Sequence, residues 1–397
     1  MTPSSRASSA ILLDTFDEDR LVDAVERCRS ELGGRTSIAF AFCSSDWAPH
    51  LIEVSEIVQV YGRSPHVVGC STDGLIGSGE EDEDVSGISL LFLDLPETEI
   101  FVAGIERGRE DMGDWEALTG LARSACGGWI ALLNPATFDG ESWLRSWNRA
   151  YPGIPTYGGL AGGRHPDTGF TLFHNGSVNA TDALVIGLSG RFALDGLVSQ
   201  GCRPIGEPYT ITEVDDNVVL GIASKRAYEM LEETFRALAP EDRRRAQGNI
   251  FAGLATRECV DEFKRGDFLV RNIIGGDPDV GALALGAHPH VGQTLQFQLR
   301  DRDAADEDLR ALATATRDRL SRHSQIAALL FSCAGRGHRL FGVPDHDAGV
   351  LDEAFGPLPL AGFFCNGEIG PVGPETFLHG YTASAAFFID TRGPEQE

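Results

Sequence analysis

At 397 residues the chain is too long for one ordinary hydrophobic core and calls for two domains or three. Hydrophobic residues at 42% and charged residues at 23% describe a globular, ordered chain. A net charge of −26, from 33 Lys+Arg against 59 Asp+Glu, leaves no basic face to displace counterions from nucleic acid or to hold an anionic membrane surface.

In chain order, residues 1–16 are Ser-rich and read as a loose leader. Leu21, Val25, Cys28 and Leu32 keep helical spacing until Gly33-Gly34 stop the helix. Ser37 to Cys43 is a buried-strand run, followed by a helix around His50 to Tyr61 and a strand from His66 to Cys70. Five acids, Glu80 to Asp84, read as a solvated loop before the strand Ile88 to Leu95. A strand–helix–strand unit follows: Trp129 to Asn134, a helix near Glu141 to Ala150, then Ile154 to Gly163. Asn175-Gly176 is the strongest hairpin signal in the chain, and Asp182 to Leu188 is the next strand.

A helix near Ser224 to Leu238 begins the second half, with strands at Asn249–Ala255, Phe268–Ile274, Ala282–Ala287 and Thr294–Leu299. Leu309, Leu312, Thr316 and Leu320 mark a helix, Ile326 to Cys333 a strand, and Val350 to Phe355 a short helix. Leu360 to Phe364 and Tyr381 to Asp390 are the last strands. The expectation is α+β: two related domains of mixed β-sheets covered by helices, with internal duplication. The expected divisions are a leader with the first helix at 1–30, one domain at 31–220 and another at 221–390.

The duplication rests on a glycine phrase. VVGCSTDGLIG (Val67 to Gly77) and LAGFFCNGEIG (Leu360 to Gly370) share the frame G-x4-G-x-I-G. Asp17-Glu18-Asp19 and Asp306-Glu307-Asp308 open the helices before them, and Cys43 and Cys333 close the apolar runs between, at near-equal spacing.

Turns of this kind can aim backbone N–H groups at an anionic ligand group. The candidate ligand-binding residues are Cys70, Asp73 and Gly74 of the first phrase, and Gly158 and Gly159 of the stretch GGLAGG. Cys333 and Arg336 follow the penultimate long strand, and Asn366, Gly367 and Glu368 belong to the second phrase. If the strands before Cys333 and Glu368 are neighbours, Arg336 and Glu368 leave one sheet end. There they could clamp the carboxylate and amine of a zwitterion. A structural ion pair is the plainer alternative.

Cys333 with His338 is a conceivable Cys–His nucleophile, weighed against a buried structural thiol. His288 and His290, or His338 and His346, are weak metal candidates, so neither a metal nor a cofactor is expected. No Walker, G-x-S-x-G or H-E-x-x-H motif occurs. The eight cysteines (Cys28, Cys43, Cys70, Cys126, Cys202, Cys259, Cys333 and Cys365) form no C-x-x-C pair. With no signal-peptide or membrane-spanning stretch, they point to a reducing, cytoplasmic setting.

FSCAGRG (Phe331 to Gly337), GFFCNGEIGP (Gly362 to Pro371) and LHGYTASAAFF (Leu378 to Phe388) are similar to the C-terminal part of the FIST family, the F-box and intracellular signal transduction proteins. The first glycine phrase and YGGLAGG (Tyr157 to Gly163) resemble its N-terminal part. FLVRNIIGGDP (Phe268 to Pro278) and VGQTLQFQLRD (Val291 to Asp301) resemble its middle. The resemblance implies a sensory module that binds small ligands, with amino acids the proposed class, and it supplies no catalytic residues. Some bacterial relatives have been linked to haem. With only about thirty residues before the first similar segment, the expectation is a stand-alone sensor, not an enzyme, with a separate signalling protein as partner. The alternatives are an adaptor for a protein partner, a haem sensor using His174, His338 or His379, and an enzyme using Cys333.

Overall fold

A computed structural model describes residues 6–163, 165, 167, 169–258, 260 and 262–392. The chain divides into two compact units. One holds residues up to Val198, Leu309–Leu378 and Thr382 onward; the other holds Ser199–Asp308 and His379–Tyr381.

The first unit uses one arrangement three times. The first copy is β1 (Ala7–Leu12), α1 (Glu18–Glu31), β2 (Ile38–Ser44), α2 (Leu51–Tyr61), β3 (Val67–Thr72), a hairpin of β4 (Gly74–Gly77) and β5 (Glu80–Asp82), and β6 (Ile88–Leu93). The second is β7 (Thr98–Ile105), α3 (Trp115–Thr119), β8 (Cys126–Leu133), α4 (Gly140–Ala150), β9 (Thr156–Leu160), a hairpin of β10 (Leu172–His174) and β11 (Ser177–Val178), and β12 (Ala183–Gly190).

The third copy opens with β13 (Phe192–Gln200), and the second unit is inserted at this point of the chain. That unit contains β14 (Cys202–Pro204), β15 (Tyr209–Asp215), β16 (Val218–Ile222), β17 (Lys225–Arg226), α5 (Ala227–Ala237) and α6 (Pro240–Arg245). It goes on with β18 (Ile250–Ala255), β19 (Phe268–Arg271), β20 (Ile273–Asp277), β21 (Ala282–Leu285) and β22 (Thr294–Arg300). The third copy then resumes with α7 (Arg302–Arg319), β23 (Ser324–Cys333), α8 (Gly337–Phe341), α9 (His346–Phe355), β24 (Leu360–Cys365), a hairpin of β25 (Glu368–Val372) and β26 (Glu375–His379), and β27 (Thr382–Asp390).

Each copy builds a six-stranded sheet around a central parallel pair, and each sends its hairpin to the next sheet. The orders are β1-β6-β2-β3-β10-β11, β26-β25-β9-β8-β12-β7 and β13-β27-β23-β24-β4-β5. The parallel pairs are β2 with β3, β8 with β9, and β23 with β24. The hairpin β4–β5 leaves the first copy to pair β24, β10–β11 leaves the second to pair β3, and β25–β26 leaves the third to pair β9.

The inner faces meet in one core that includes Phe40, Phe42, Ile130, Leu132, Tyr157, Phe331 and Phe363. The outer face of each sheet is covered by its own helices. On the first, Leu21, Val25 and Cys28 of α1 pack down, with Asp17 capping the helix through Arg20 N. On the second lie Trp115, Trp143 and Trp147, and on the third Leu309, Ala313, Val350 and Leu351.

The α+β class with mixed sheets under helices is therefore the observed one, and the repeat read twice in the sequence has a third copy around GGLAGG. The turn Asn175-Gly176 takes φ of 47° and 78°, the left-handed pair that a tight hairpin needs. Two expectations are corrected. The Ser-rich start is not a loose leader from Ala7 on, because β1 pairs with β6 over its length. The acidic run is not a solvated loop throughout: β5 alternates, exposing Glu80 and Asp82 and burying Glu81. Position 220 falls inside the inserted unit, which holds Ser199–Asp308 and His379–Tyr381.

In that inserted unit the sheet runs β19-β18-β22-β15-β16-β21-β20, with β14 beside β22 and β17 beside β16. Its core is formed by Ile211, Val219, Met230, Leu254, Leu283, Leu295 and Phe297.

Candidate functional site

The glycine phrases have a steric cause before any chemical one. In each parallel pair one glycine sits opposite a residue of the partner strand: Gly69 opposite Ala41, Gly158 opposite Ala131, Gly362 opposite Leu330. A Cβ on these glycines would stand 1.8, 1.8 and 1.9 Å from the facing carbonyl oxygen, so no side chain fits.

Four residues on, the equivalent positions are Asp73, Gly162 and Asn366, and there the three copies are tied together. The Asp73 carboxylate accepts from Gly163 N at 2.7 Å and from Asn366 Nδ2 at 2.9 Å. Gly162 N donates to Ser71 O, and Leu160 N to Gly367 O, both at 2.9 Å. Gly74 begins β4 against Phe364, and Gly159 pairs with Glu368. The structure thus brings Asp73, Gly74, Gly158, Gly159, Asn366, Gly367 and Glu368 to one junction, where their polar groups bind one another.

Arg336 and Glu368 do leave neighbouring strands, since Cys333 is opposite Cys365 in the β23–β24 pair. They do not face each other as a clamp. Arg336 is completely buried and forks onto Asp347, Nε to Oδ2 at 2.7 Å and Nη2 to Oδ1 at 2.9 Å, while its Nη1 has no hydrogen-bond partner. Asp347 wins because it stands in the first turn of α9, directly over the end of β23; Ser332 Oγ donates to it at 2.8 Å. The Arg336 and His346 side chains beside it hold the Asp347 carboxyl below the usual carboxylate range despite its burial.

Glu81 accepts from the backbone N–H groups of Asp347 at 3.3 Å and Ala348 at 3.1 Å, at the positive end of α9. Burial, and then the Asp347 charge, push its pKa up to about 8. Glu368 is also fully buried. It accepts from Thr382 Oγ1 at 2.7 Å and Thr382 N at 3.1 Å, and burial raises its pKa to about 7.

Burial works against ionising two of the three thiols on these strands. Cys70 and Cys365 are wholly buried, and burial raises both well above the ordinary thiol value. Cys333 ends β23 at 8% exposure. Among the described residues the seven cysteines form no disulfide; Cys259 lies outside the described residues. Among the described residues no group of three or more His, Cys, Asp or Glu is placed to hold a metal ion. His288 faces Asp216, and His346 faces Asp347. The histidines weighed for haem are dispersed, His174 stacked on His66, His338 in α8 and His379 ending β26.

A ligand-sized space lies away from this junction. The inserted unit holds a cavity of about 650 Å³ between α5, the segment Ala246–Phe251 and β22. Tyr228, Phe235, Phe251 and Tyr381 give it aromatic walls, and Arg236, Arg300, Glu232, Asn249 and Asn272 give it polar ones. None of these residues was a binding candidate from the sequence, although Asn272, Arg300 and Tyr381 lie in the stretches FLVRNIIGGDP, VGQTLQFQLRD and LHGYTASAAFF.

Fold and site together define a class: a three-copy α+β scaffold with interchanged hairpins, interrupted in its third copy by a unit that carries a ligand-sized cavity. The FIST N domain matches residues 37–225 and the FIST C domain residues 227–371, and the chain belongs to the FIST family. FIST domains are associated with sensing in signal transduction. An uncharacterized protein of Mycobacterium tuberculosis is 34% identical over 373 residues, covering 93% of this chain and 95% of its own length. An F-box/LRR-repeat protein of Arabidopsis thaliana is 29% identical over 130 residues, 29% of this chain and 25% of that protein. Among solved structures, a cyanuric acid hydrolase from A. caulinodans covers 96% of this chain and 99% of its own at 9% identity and a TM-score of 0.34, a likeness too weak to carry any argument. No helix among the described residues is long and apolar enough to cross a membrane.

Proposed function

We propose that this protein is a cytoplasmic sensor that binds a small molecule, works by occupancy and not by catalysis, and signals to a separate protein. The observation that carries this reading is the cavity of the inserted unit. Its volume of about 650 Å³ falls in the usual range for small-molecule sites. Aromatic walls with a few polar groups are the usual lining of such sites. Amino acids and related small acids are the first class to test, because Arg236 and Arg300 suit a carboxylate and Glu232 suits an amine. The glycine junction serves this reading as scaffold, since the Asp73, Arg336 and Glu368 side chains are engaged with other protein groups.

A thermal-shift screen of the full chain against amino acids and small organic acids tests it. At least one compound should stabilise the wild type, and Leu231→Trp, which fills the cavity from α5, should abolish that shift. Stabilisation that survives Leu231→Trp would place the ligand elsewhere.

A further inference from the structure

We infer that the ligand of this cavity is a carboxylate carried on a flat aromatic ring. The inference rests on the reading that the cavity is the ligand site. Tyr381 carries the argument. Its φ is 65°, a left-handed conformation that is uncommon and strained for a bulky side chain and persists where the surroundings enforce it. Here they do. The Tyr381 hydroxyl donates to Asn272 Oδ1, its carbonyl oxygen accepts from Gly201 N at 2.8 Å, and its ring lies 4.2 Å from that of Phe251. A ring fixed in this way is a preorganised wall, with little side-chain entropy left to lose on binding.

The charge beside that wall sets the second requirement. The Arg300 guanidinium stands over the Tyr381 ring with Cζ 5.5 Å from its centroid. Arg236 also lines the cavity, and its bond to Glu232 at 2.9 Å joins exposed side chains of the same helix, a pair that water and salt screen to little net worth. A carboxylate can displace such a partner. In a chain of net charge −26, two guanidiniums against one carboxylate make the cavity a local exception that attracts anions. A flat ring held among the Tyr228, Phe235 and Tyr381 walls, with its carboxylate turned to the Arg300 and Arg236 charges, satisfies both features at once.

The test uses the full-length protein and three probes: indole-3-carboxylate, its primary amide, and adipate, each titrated by calorimetry. Indole-3-carboxylate should bind. The amide, which keeps the ring and loses the charge, and adipate, which keeps charge and loses the ring, should each bind at least tenfold more weakly. Arg300→Gln should weaken the carboxylate at least tenfold while leaving the amide unchanged, and Leu231→Trp should abolish binding. If the amide or adipate binds as well as the carboxylate, and Leu231→Trp still abolishes it, the cavity stands and the aromatic-acid inference falls. If none of the three binds, or binding survives Leu231→Trp, the inference falls together with the cavity reading. The amide and adipate arms need only the wild type, so a variant that fails to fold leaves the test intact.

Discussion

Replacing Asp347 with Asn tests the buried charge cluster most directly. The substitution keeps the shape of the side chain but removes the carboxylate that Arg336 grips at 2.7 and 2.9 Å and that Ser332 also contacts. Arg336 has no solvent exposure, so its cation is left without a counter-charge, and breaking a buried pair in this way costs about 3–5 kcal/mol. The loss should depend on pH through Glu81. In the wild type the Glu81 pKa is lifted from 4.5 to about 8. The native state therefore holds a proton that the unfolded state has released, and wild-type stability falls as pH rises through that window. In the variant the repelling Asp347 charge is gone, Arg336 favours the Glu81 carboxylate, and Glu81 ionises at lower pH. The deficit of the variant should then be largest near pH 5.5 and smaller at pH 8.5, by about 1.4 kcal/mol for each unit that Glu81 falls. All five tryptophans lie in the unit that holds this cluster, so urea unfolding followed by tryptophan fluorescence reports on it alone. A deficit below about 1 kcal/mol at pH 5.5, or one that grows toward pH 8.5, would refute the reasoning.

Two further outcomes follow from the three-copy architecture. A fragment of residues 1–225 keeps β4–β5 but lacks the β24 edge it pairs with, and keeps β9 without its partner β25. It should show no cooperative melt alone and should co-purify with a co-expressed 227–397 piece; a fragment that melts cooperatively near the full-chain temperature would show that the hairpin exchange is dispensable. Gly362→Ala forces a Cβ within 1.9 Å of Leu330 O and should cost several kcal/mol in urea unfolding, at or beyond the usual overpacking range of about 1–3 kcal/mol. Gly349→Ala, in α9 with nothing within 4 Å of the new Cβ, should instead stabilise by about 0.5–1 kcal/mol, and equal effects of the two would remove the steric account of the phrase.

Much of the fold was legible because it was written in local periodicity. The alternation of apolar runs with amphipathic stretches located β2, β8, β23, β24 and the main helices, and Asn175-Gly176 marked its hairpin. The third copy escaped notice because GGLAGG lacks the G-x-I-G ending and its hairpin follows after a longer connection. The site was less legible. Glu81 looked like part of a solvated run, and only its pairing in β5 and the placement of α9 reveal a buried carboxyl. Arg336 and Glu368 were read correctly as neighbours at one sheet end, but Asp347 on a separate helix decides where the guanidinium points. Tyr228, Phe235 and Arg236 carry no motif, and Arg300 lies in one, VGQTLQFQLRD, that says nothing of a ligand; each is an ordinary residue of a helix or strand until the cavity assembles them.

The sequence by itself determined the class of fold, the repeat and the family, because glycine at Gly69, Gly158 and Gly362, and the apolar runs around them, are demanded by backbone contacts that leave no alternative residue. Only the tertiary structure decided that three copies each build a sheet and exchange hairpins, that the glycine phrases bind one another, and that a ligand-sized open volume lies in the inserted unit. The physical reason is that pairing between distant strands, and the space left between side chains, depend on which surfaces meet, and no local pattern of residues encodes that.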